Sequence, residues 1–466
     1  MLLYLTRSSL PTFHQGRPAV SKLLQVFSSR CLSHQRVNHS SQDVPRRKPF
    51  IMKVDSPEFH SLFTPSLKTL IDVFAKHEYE IRIAGGAVRD ILSGKIPKDV
   101  DFATTATPDQ MKEMLSNEQI RMINMKGEKH GTITARINND NFEVTTLRLD
   151  VTTDGRHAEV QFTKDWELDA NRRDLTINSM FLGTDGTVYD YFGGYEDLKA
   201  KRVAFVGDPN KRIQEDYLRI LRYFRFYARI VQDPDKHEAE TINAISSNIG
   251  GLEQITGERI WMELSKILSG NFVSQVVTKL IEVGASKYIG LPEDPNVGEF
   301  RAVCKRTEGL NPQPITLLVG LLKSEEEMMN LHARLKLSSL ERDLGRFITA
   351  YRSEEPFELK KFQAMMLKRD GKLSDTRLFI MELFKYTTKL AFLQEFETWE
   401  PPKFPINGNI LKENNVPAGK PLGKVLTALK ESWVDSDYQK TLDDLLKELP
   451  DLMSKLKIVP TERKNV

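Results

Sequence analysis

Asp99 and Asp101 stand one residue apart in "KDVDFATT" (98–105), and a third acid, Glu143, follows in "NFEVTTL" (141–147). On a strand, side chains at i and i+2 share one face. Two carboxylates held side by side repel unless a cation lies between them, so the spacing suits a hard divalent ion, most simply magnesium. Ions held in this way bridge a nucleotide's phosphates and activate an attacking hydroxyl, the two-metal arrangement. An isolated Asp-x-Asp is common on solvated strand edges, so the neighbouring residues decide. Gly85 and Gly86 in "IRIAGGAVRDILSG" (81–94) come just before the acids and open an expected helix. Backbone amides free of side chains at a helix start suit phosphate oxygens, and Arg89, one turn on, adds a charged donor. Three acids and a phosphate cradle are the parts of a nucleotidyltransferase palm and of metal-dependent phosphoryl transfer.

Such a site needs a small sheet with helices to carry it. Residues 57–77 have helical apolar spacing, with Pro65 ending an earlier short piece. "YEIRIAG" (79–85) alternates as a strand, and "KDVDFATT" reads as a second. Thr107 and Pro108 form an N-cap and first helical residue. "GTITARI" and "FEVTTLRL" flank the polar turn "NNDN", which predicts a hairpin. Beyond about residue 210 the apolar pattern is helical almost throughout. The expected fold is an N-terminal α/β palm, a small mixed sheet with helices, followed by an all-α neck, body and tail. The expected divisions are a leader over 1–51, a catalytic head over 52–195, a neck over 196–290, a body over 291–398 and a tail over 399–466. The last two joints fall at "LPEDPNVG" and the proline-rich "WEPPKFPINGN".

At 466 residues the chain is too long for one core. Its only cysteines are Cys31 and Cys304, and its nine histidines show no metal-ligand spacing, which excludes a disulfide scaffold and a cysteine-rich zinc site. No apolar run reaches the roughly 18 residues of a membrane span. The first 42 residues hold no acid, five basic residues and eight serines, the composition of a mitochondrial transit peptide. Met52, just beyond, is a candidate second start for a cytosolic or nuclear form. The first 51 residues carry +7 of a total of +3, which leaves the remainder near −4, so any basic groove for RNA must be local.

"GGAVRD…KDVDFAT" resembles motif A of the class II tRNA nucleotidyltransferases, the CCA-adding enzymes. "RRDLTINSMFLG" (172–183), "YDYFGGYEDLKAKRVAFVGD" (189–208), "RIQEDYLRILRYFRF" (212–226) and "GERIWMELSKIL" (257–268) follow in family order. "INGNILKENNVPAGKPLGKVL" (406–426) is similar to the family's glycine-rich C-terminal segment. The resemblance covers nearly everything after residue 57 and is closest to the animal mitochondrial type. It implies template-independent addition of CCA to tRNA 3′ ends from CTP and ATP, with Mg2+ in a two-metal site. Asp99 and Asp101 would bind the metals, and Glu143 would orient or activate the attacking hydroxyl.

Nucleotide choice is expected from "EDYLRILRYFRF", in which Asp216 and Arg219 stand at i and i+3 of a helix. An aspartate accepts from an exocyclic amino group, and an arginine donates to an adjacent bare ring nitrogen. Cytosine and adenine present that pair of groups. Uracil and guanine present a carbonyl beside a protonated nitrogen, and each buried mismatch costs about 1–3 kcal/mol. An ordinary Asp–Arg helix pair is the plainer alternative; the surrounding motifs favour base recognition. Arg222 continues the spacing toward the triphosphate, and Arg225 follows it. In the family, Arg173, Asp174 and Asn178 help to bind the nucleotide and its ribose; bracing the palm is their other reading.

Bacterial-type poly(A) polymerases share the palm and are the main competitor. "GEKHGTITAR" (127–136) is more similar to CCA-adding enzymes. "RLDVTTDGRHAEV" (148–160) resembles the loop that lets the family switch from CTP to ATP, with Thr152, Thr153 and Gly155 supplying mobility. A small-molecule nucleotidyltransferase would not need the long helical part, and a non-catalytic relative would have lost an acid. The expected partner is tRNA, held at its acceptor stem and upper arm by shape and backbone contacts, with Lys360, Lys361, Lys412, Lys420 and Lys424 as candidate contacts. No membrane partner is expected, and a homodimer is left open. Trp399 and Trp433 read as surface aromatics without a role.

Overall fold

A computed structural model describes residues 48–123, 125–153, 158–368 and 372–461 of the chain. Residues 1–47 of the expected leader, Cys31 among them, and Gly155 lie outside the described residues, whereas Phe50 and Ile51, expected in the leader, belong to the first described strand. The described strands are β1 (Phe50–Lys53), β2 (Ile81–Ala84), β3 (Asp101–Thr104), β4 (Arg121–Ile123), β5 (Thr132–Ile137), β6 (Asp140–Thr146), β7 (Arg148–Thr153), β8 (Ala158–Phe162), β9 (Phe181–Gly183) and β10 (Thr187–Asp190). Eight form one sheet in the order β1-β10-β9-β2-β3-β6-β5-β4, and β7 pairs with β8 apart from it.

Every pairing in the large sheet is antiparallel except β3 with β6. That exception follows from the connection between them: the chain leaves β3 through a helix and returns by the hairpin β5–β6, whose tight turn has Asn138 at φ 53. Parallel register sets Asp101 beside Glu143, and antiparallel register sets Ala84 opposite Asp101.

The head's helices are α1 (Pro57–His60), α2 (Pro65–Lys76), α3 (Gly86–Leu92), α4 (Pro108–Asn117), α5 (Trp166–Asn171) and α6 (Gly194–Lys199). The neck follows with α7 (Pro209–Glu215), α8 (Leu218–Ile230), α9 (Ala239–Asn248) and α10 (Gly257–Leu268). Four of these helices begin by one device. Ser56, Thr64, Thr107 and Asp208 each accept an amide hydrogen bond, and a proline follows at the first helical position. At α4 the side chain of Gln110 returns the bond, completing a capping box.

Further helices follow: α11 (Val273–Glu282), within the expected neck, and then α12 (Val297–Arg306), α13 (Pro314–Leu318), α14 (Glu325–Leu335), α15 (Ser339–Tyr351), α16 (Leu359–Lys368), α17 (Leu373–Tyr386) and α18 (Leu390–Thr398), within the expected body. The tail holds α19 (Gly408–Glu413), α20 (Lys420–Asp435) and α21 (Leu442–Lys455). One apolar core runs from Phe59 to Phe396, from the helices beside the large sheet to α18. A second core joins Leu367 to tail residues from Ile406 to Met453. Trp433 is buried in that second core and Trp399 packs against both. Neither tryptophan is the surface aromatic expected from sequence, because their apolar neighbours arrive from distant helices.

Two local expectations are corrected. Asp99 lies in a bend two residues ahead of β3, so the acids do not share a strand face; only Asp101 is on the strand. Of residues 148–160, expected as a flexible loop with a hairpin connection as the plainer alternative, the described ones belong to the antiparallel ladder β7–β8, with a register shift between Asp150 and Thr152.

Candidate active site

A cavity of about 850 Å3 opens between the large sheet and the start of the neck. Asp99, Asp101 and Glu143 line one part of it, and Asp216, Arg219, Arg222 and Arg225 line another. The remaining expected residues, Gly85, Gly86, Arg89, Arg173, Asp174 and Asn178, also line it.

The sheet register explains the acidic part. Asp101 and Glu143 are direct neighbours across the parallel pair, so their side chains leave the same face. Burial first, then Glu143 and Asp99, push the Asp101 carboxyl above its ordinary value, against a smaller opposing effect of Arg173. Like charges are thus concentrated where a cation would relieve them. Among the described residues no group of three or more such side chains forms a ready metal cage. An ion here would take one or two carboxylates and complete its shell from phosphate and water, as magnesium commonly does. The donor set fits a divalent ion on those terms.

Gly85 follows the partner of Asp101 and has φ 67 and ψ −121, a conformation that glycine supplies at little cost. A Cβ there would also come within 3.1 Å of Arg173 Nη1. The turn hence leaves the sheet beside the acids, with the Gly85 amide donating to the Met180 carbonyl at 3.2 Å, and enters α3.

Behind the turn runs a buried chain of polar contacts. Arg89 Nη1 donates to Asn178 Oδ1 at 2.6 Å, Asn178 Nδ2 to Asp174 Oδ1 at 3.3 Å, and Arg222 Nε to Asp174 Oδ2 at 2.6 Å. Burial works to raise the Asp174 pKa, yet Arg222, the Leu175 amide and Asn178 together leave it below the usual carboxylate value. Arg222 Nη1 lies 4.0 Å from Glu263, and Arg225 Nε 3.0 Å from the same carboxylate. The chain ties α3 of the head to α8 and α10 of the neck.

Asp216 and Arg219 do not sit on one helix as expected. α7 ends at Glu215, and Asp216 is extended at φ −155 and ψ 106 before α8 begins. Its Oδ1 accepts from the Leu218 amide at 3.1 Å, and its Oδ2 from Arg259 Nη2 at 2.9 Å. Arg219 pairs with Glu215 and donates to the carbonyls of Arg212 and Arg172 at 2.9 Å each. The competition of an aspartate side chain for the backbone amide two residues on breaks the helix. The periodicity of "EDYLRIL" did not register that. Arg259 was also missed; it stands in "GERIWMEL" on α10, 43 residues away, and no local spacing links it to Asp216. Arg229 also lines the cavity and could have been found, since it extends the run Arg219, Arg222, Arg225 at helical spacing.

Residues 81–204 match a family model described as the poly A polymerase head domain, and residues 236–293 one described as a probable RNA- and SrmB-binding site of polymerase A. The mouse protein named CCA tRNA nucleotidyltransferase 1, mitochondrial, is 53% identical over 409 residues, covering 86% of this chain and 93% of that one. The human protein of the same name is 52% identical over 442 residues, covering 93% and 98%. The chain belongs to the CCA tRNA nucleotidyltransferases. The crystal structure of the Bacillus stearothermophilus CCA-adding enzyme in complex with CTP shares the fold, with a TM-score of 0.65 at 24% identity over 86% of this chain and 99% of that one. Nucleotidyltransferases of this family generally use divalent metal ions, in keeping with the acids beside β3.

Proposed function

We propose that this protein adds cytidine, cytidine and then adenosine to tRNA 3′ ends from CTP and ATP, with no nucleic-acid template. The observation that carries this is one cavity lined both by the three acids and by the Asp216–Arg219 break. Asp99 and Asp101 would hold Mg2+, which when bound supplies charge neutralisation on the phosphates and a more acidic hydroxyl. Glu143 orients the attacking 3′-hydroxyl and receives its proton. The turn at Gly85 and Gly86 cradles phosphate, Gly85 by its side-chain-free backbone and Gly86 by its amide, with Arg173 and the buried charge of Arg89 behind them. The Nη groups of Arg222, whose Nε is given to Asp174, and of Arg225 reach the triphosphate. Asp174 and Asn178 set the arginines and the ribose side of the pocket.

Asp216 accepts from the amino group shared by cytosine and adenine, and Arg219 donates to the neighbouring ring nitrogen. Three acceptors around Arg219 and two donors on Asp216 support that reading, because a fixed pair discriminates better than a mobile one. The head over 52–195 and the neck over 196–290 would then share the chemistry, while body and tail grip the acceptor stem and upper arm. Lys360 and Lys361, considered for RNA from sequence, are paired with Asp437 and Glu354, so the tail lysines Lys412, Lys420 and Lys424 are the better candidates.

The leader's composition and the mitochondrial relatives support action in mitochondria; a second form starting at Met52 belongs to the same reading, and mapping N-termini from each compartment tests it. Sedimentation of the purified protein distinguishes monomer from homodimer. The deciding experiment offers each triphosphate, then CTP with ATP, to a tRNA transcript lacking its last three nucleotides. A defined CCA end in the sequenced products is expected. A long adenosine tract on many RNAs would make it a poly(A) polymerase instead.

A further inference from the structure

The catalytic cleft continues past the residues assigned to the triphosphate. Arg225, Phe226 and Arg229 line both it and a second cavity of about 290 Å3, completed by residues that include Lys266, Gly270 and Asn271. This chamber is chemically one-sided: its walls bring three cations and an amide, and no carboxylate lines it. The balancing acids stand behind the cations. Asp90 Oδ2 lies 2.9 Å from Arg229, and Glu263 lies 3.0 Å from Arg225 and 3.8 Å from Lys266. Positive groups therefore face this open space, while Glu263 is buried and Asp90 lines the neighbouring catalytic cavity instead.

The arrangement follows from α8. Arg222, Arg225, Phe226 and Arg229 recur at intervals of three and four, which places them along one stripe of the helix. The stripe starts one turn past the Asp216–Arg219 break and ends at the chamber. The Phe226 ring has Arg225 at 4.3 Å and Arg89 at 4.8 Å, and so gathers guanidinium groups around the passage. At roughly 30 Å3 per water, the chamber has the space of about ten waters, which suits a small polyanion and is tight for a whole nucleotide.

We propose that this chamber receives the pyrophosphate released by nucleotidyl transfer and admits it again for the reverse reaction. The proposal rests on the reading of Arg222 and Arg225 as triphosphate ligands. In transfer, the 3′-oxygen of the RNA bonds to the α-phosphorus and the bond from that phosphorus to the α–β bridging oxygen breaks. The electron pair leaves on pyrophosphate, and the hydroxyl proton passes to the acid beside it. Negative charge thereby grows on the group already touching the arginines, and the next cations are Arg229 on the stripe and Lys266 on α10. In-line displacement brings the RNA end from the opposite side, so the leaving group and the next acceptor need not share one path.

A phosphodiester of the RNA backbone has similar chemistry, and the test separates the two. Lys266 lines only the second chamber and its side chain is half exposed, so Lys266→Ala and Lys266→Glu should fold. In the full-length enzyme, KM is measured for CTP, for tRNA, and for inorganic pyrophosphate in the reverse reaction on tRNA ending in CCA. Lys266→Glu is expected to raise KM for pyrophosphate by roughly tenfold, with Lys266→Ala intermediate, Lys266→Arg near the parent, and KM for CTP and tRNA within about twofold. A rise in KM for tRNA instead would assign the chamber to RNA and overturn the proposal, as would no change in any constant. Arg222→Ala runs in parallel: if it leaves KM for CTP unchanged, the triphosphate assignment itself fails, whatever Lys266 does.

Discussion

At the scale of single residues, the site separates groups that touch substrate from groups that aim them. Asp99→Ala should reduce transfer of every nucleotide by about a thousandfold or more, because binding and hydroxyl activation both depend on that charge. Asp216→Ala should lower rate and also admit UTP and GTP, read by sequencing products made from single triphosphates. Full discrimination in that variant would remove the base-reading model. Arg259→Ala frees Asp216 Oδ2 from its 2.9 Å contact and should lower selectivity more than it lowers CTP binding. A different residue sets a pH limit. His237 Nδ1 lies 3.0 Å from the Tyr223 hydroxyl and its ring stacks on Tyr227. Burial, then Lys279, bring its pKa down from 6.5 to about 4. The folded state keeps His237 neutral while the unfolded chain takes up a proton below 6.5, so stability falls as pH drops through the window from about 6.5 to about 4. Urea midpoints across that range should fall less steeply in His237→Phe.

At the scale of elements, the junction between α7 and α8 is held by a close contact. Tyr217 follows Asp216 and packs against the 3-10 turn Ile249–Gln254, where a Cβ on Gly251 would lie 2.0 Å from the ring's Cδ1. Gly251→Ala should therefore shift Tyr217 and with it Asp216. The expected cost is about 1–3 kcal/mol in urea unfolding, with more UTP incorporated and KM for tRNA little changed. The sequence made much of this level legible. Thr107 with Pro108, the Asn138 turn and the α10 periodicity are local signals, and each element formed where its own residues specify it. The break at Asp216 was less legible, because the apolar spacing of Tyr217, Leu218 and Leu221 continues through it and only the backbone angles reveal it.

At the scale of the whole molecule, the residues from Phe59 to Phe396 share a core, while the proposed tail packs around Trp433, Leu429 and Leu445 in a second one. Trp433→Ala should cost the tail about 3–5 kcal/mol and expose it to limited proteolysis. Affinity for tRNA should drop, with CTP binding in the head retained; equal loss of both would mean that the tail supports the cleft directly. The sheet's edge also bears on where the protein can begin. β1 includes Phe50 and Ile51, which pair with Asp190 and Tyr189, so a chain starting at Met52 keeps only half of that edge ladder.

The sequence by itself determined the chemistry's raw material: the acids, the glycine turn, the arginine run, and the order of elements that carries them. These depend on residue type and short-range spacing, and a chain of this composition displays them without folding. Only the tertiary structure decided which groups meet. The parallel pairing of β3 with β6 sets Glu143 beside Asp101, and α10 brings Arg259 to Asp216 and Glu263 to the α8 arginines. Burial then decided which polar groups brace and which face the cleft, since a charge out of water must find a partner and a partner many residues away leaves no local trace.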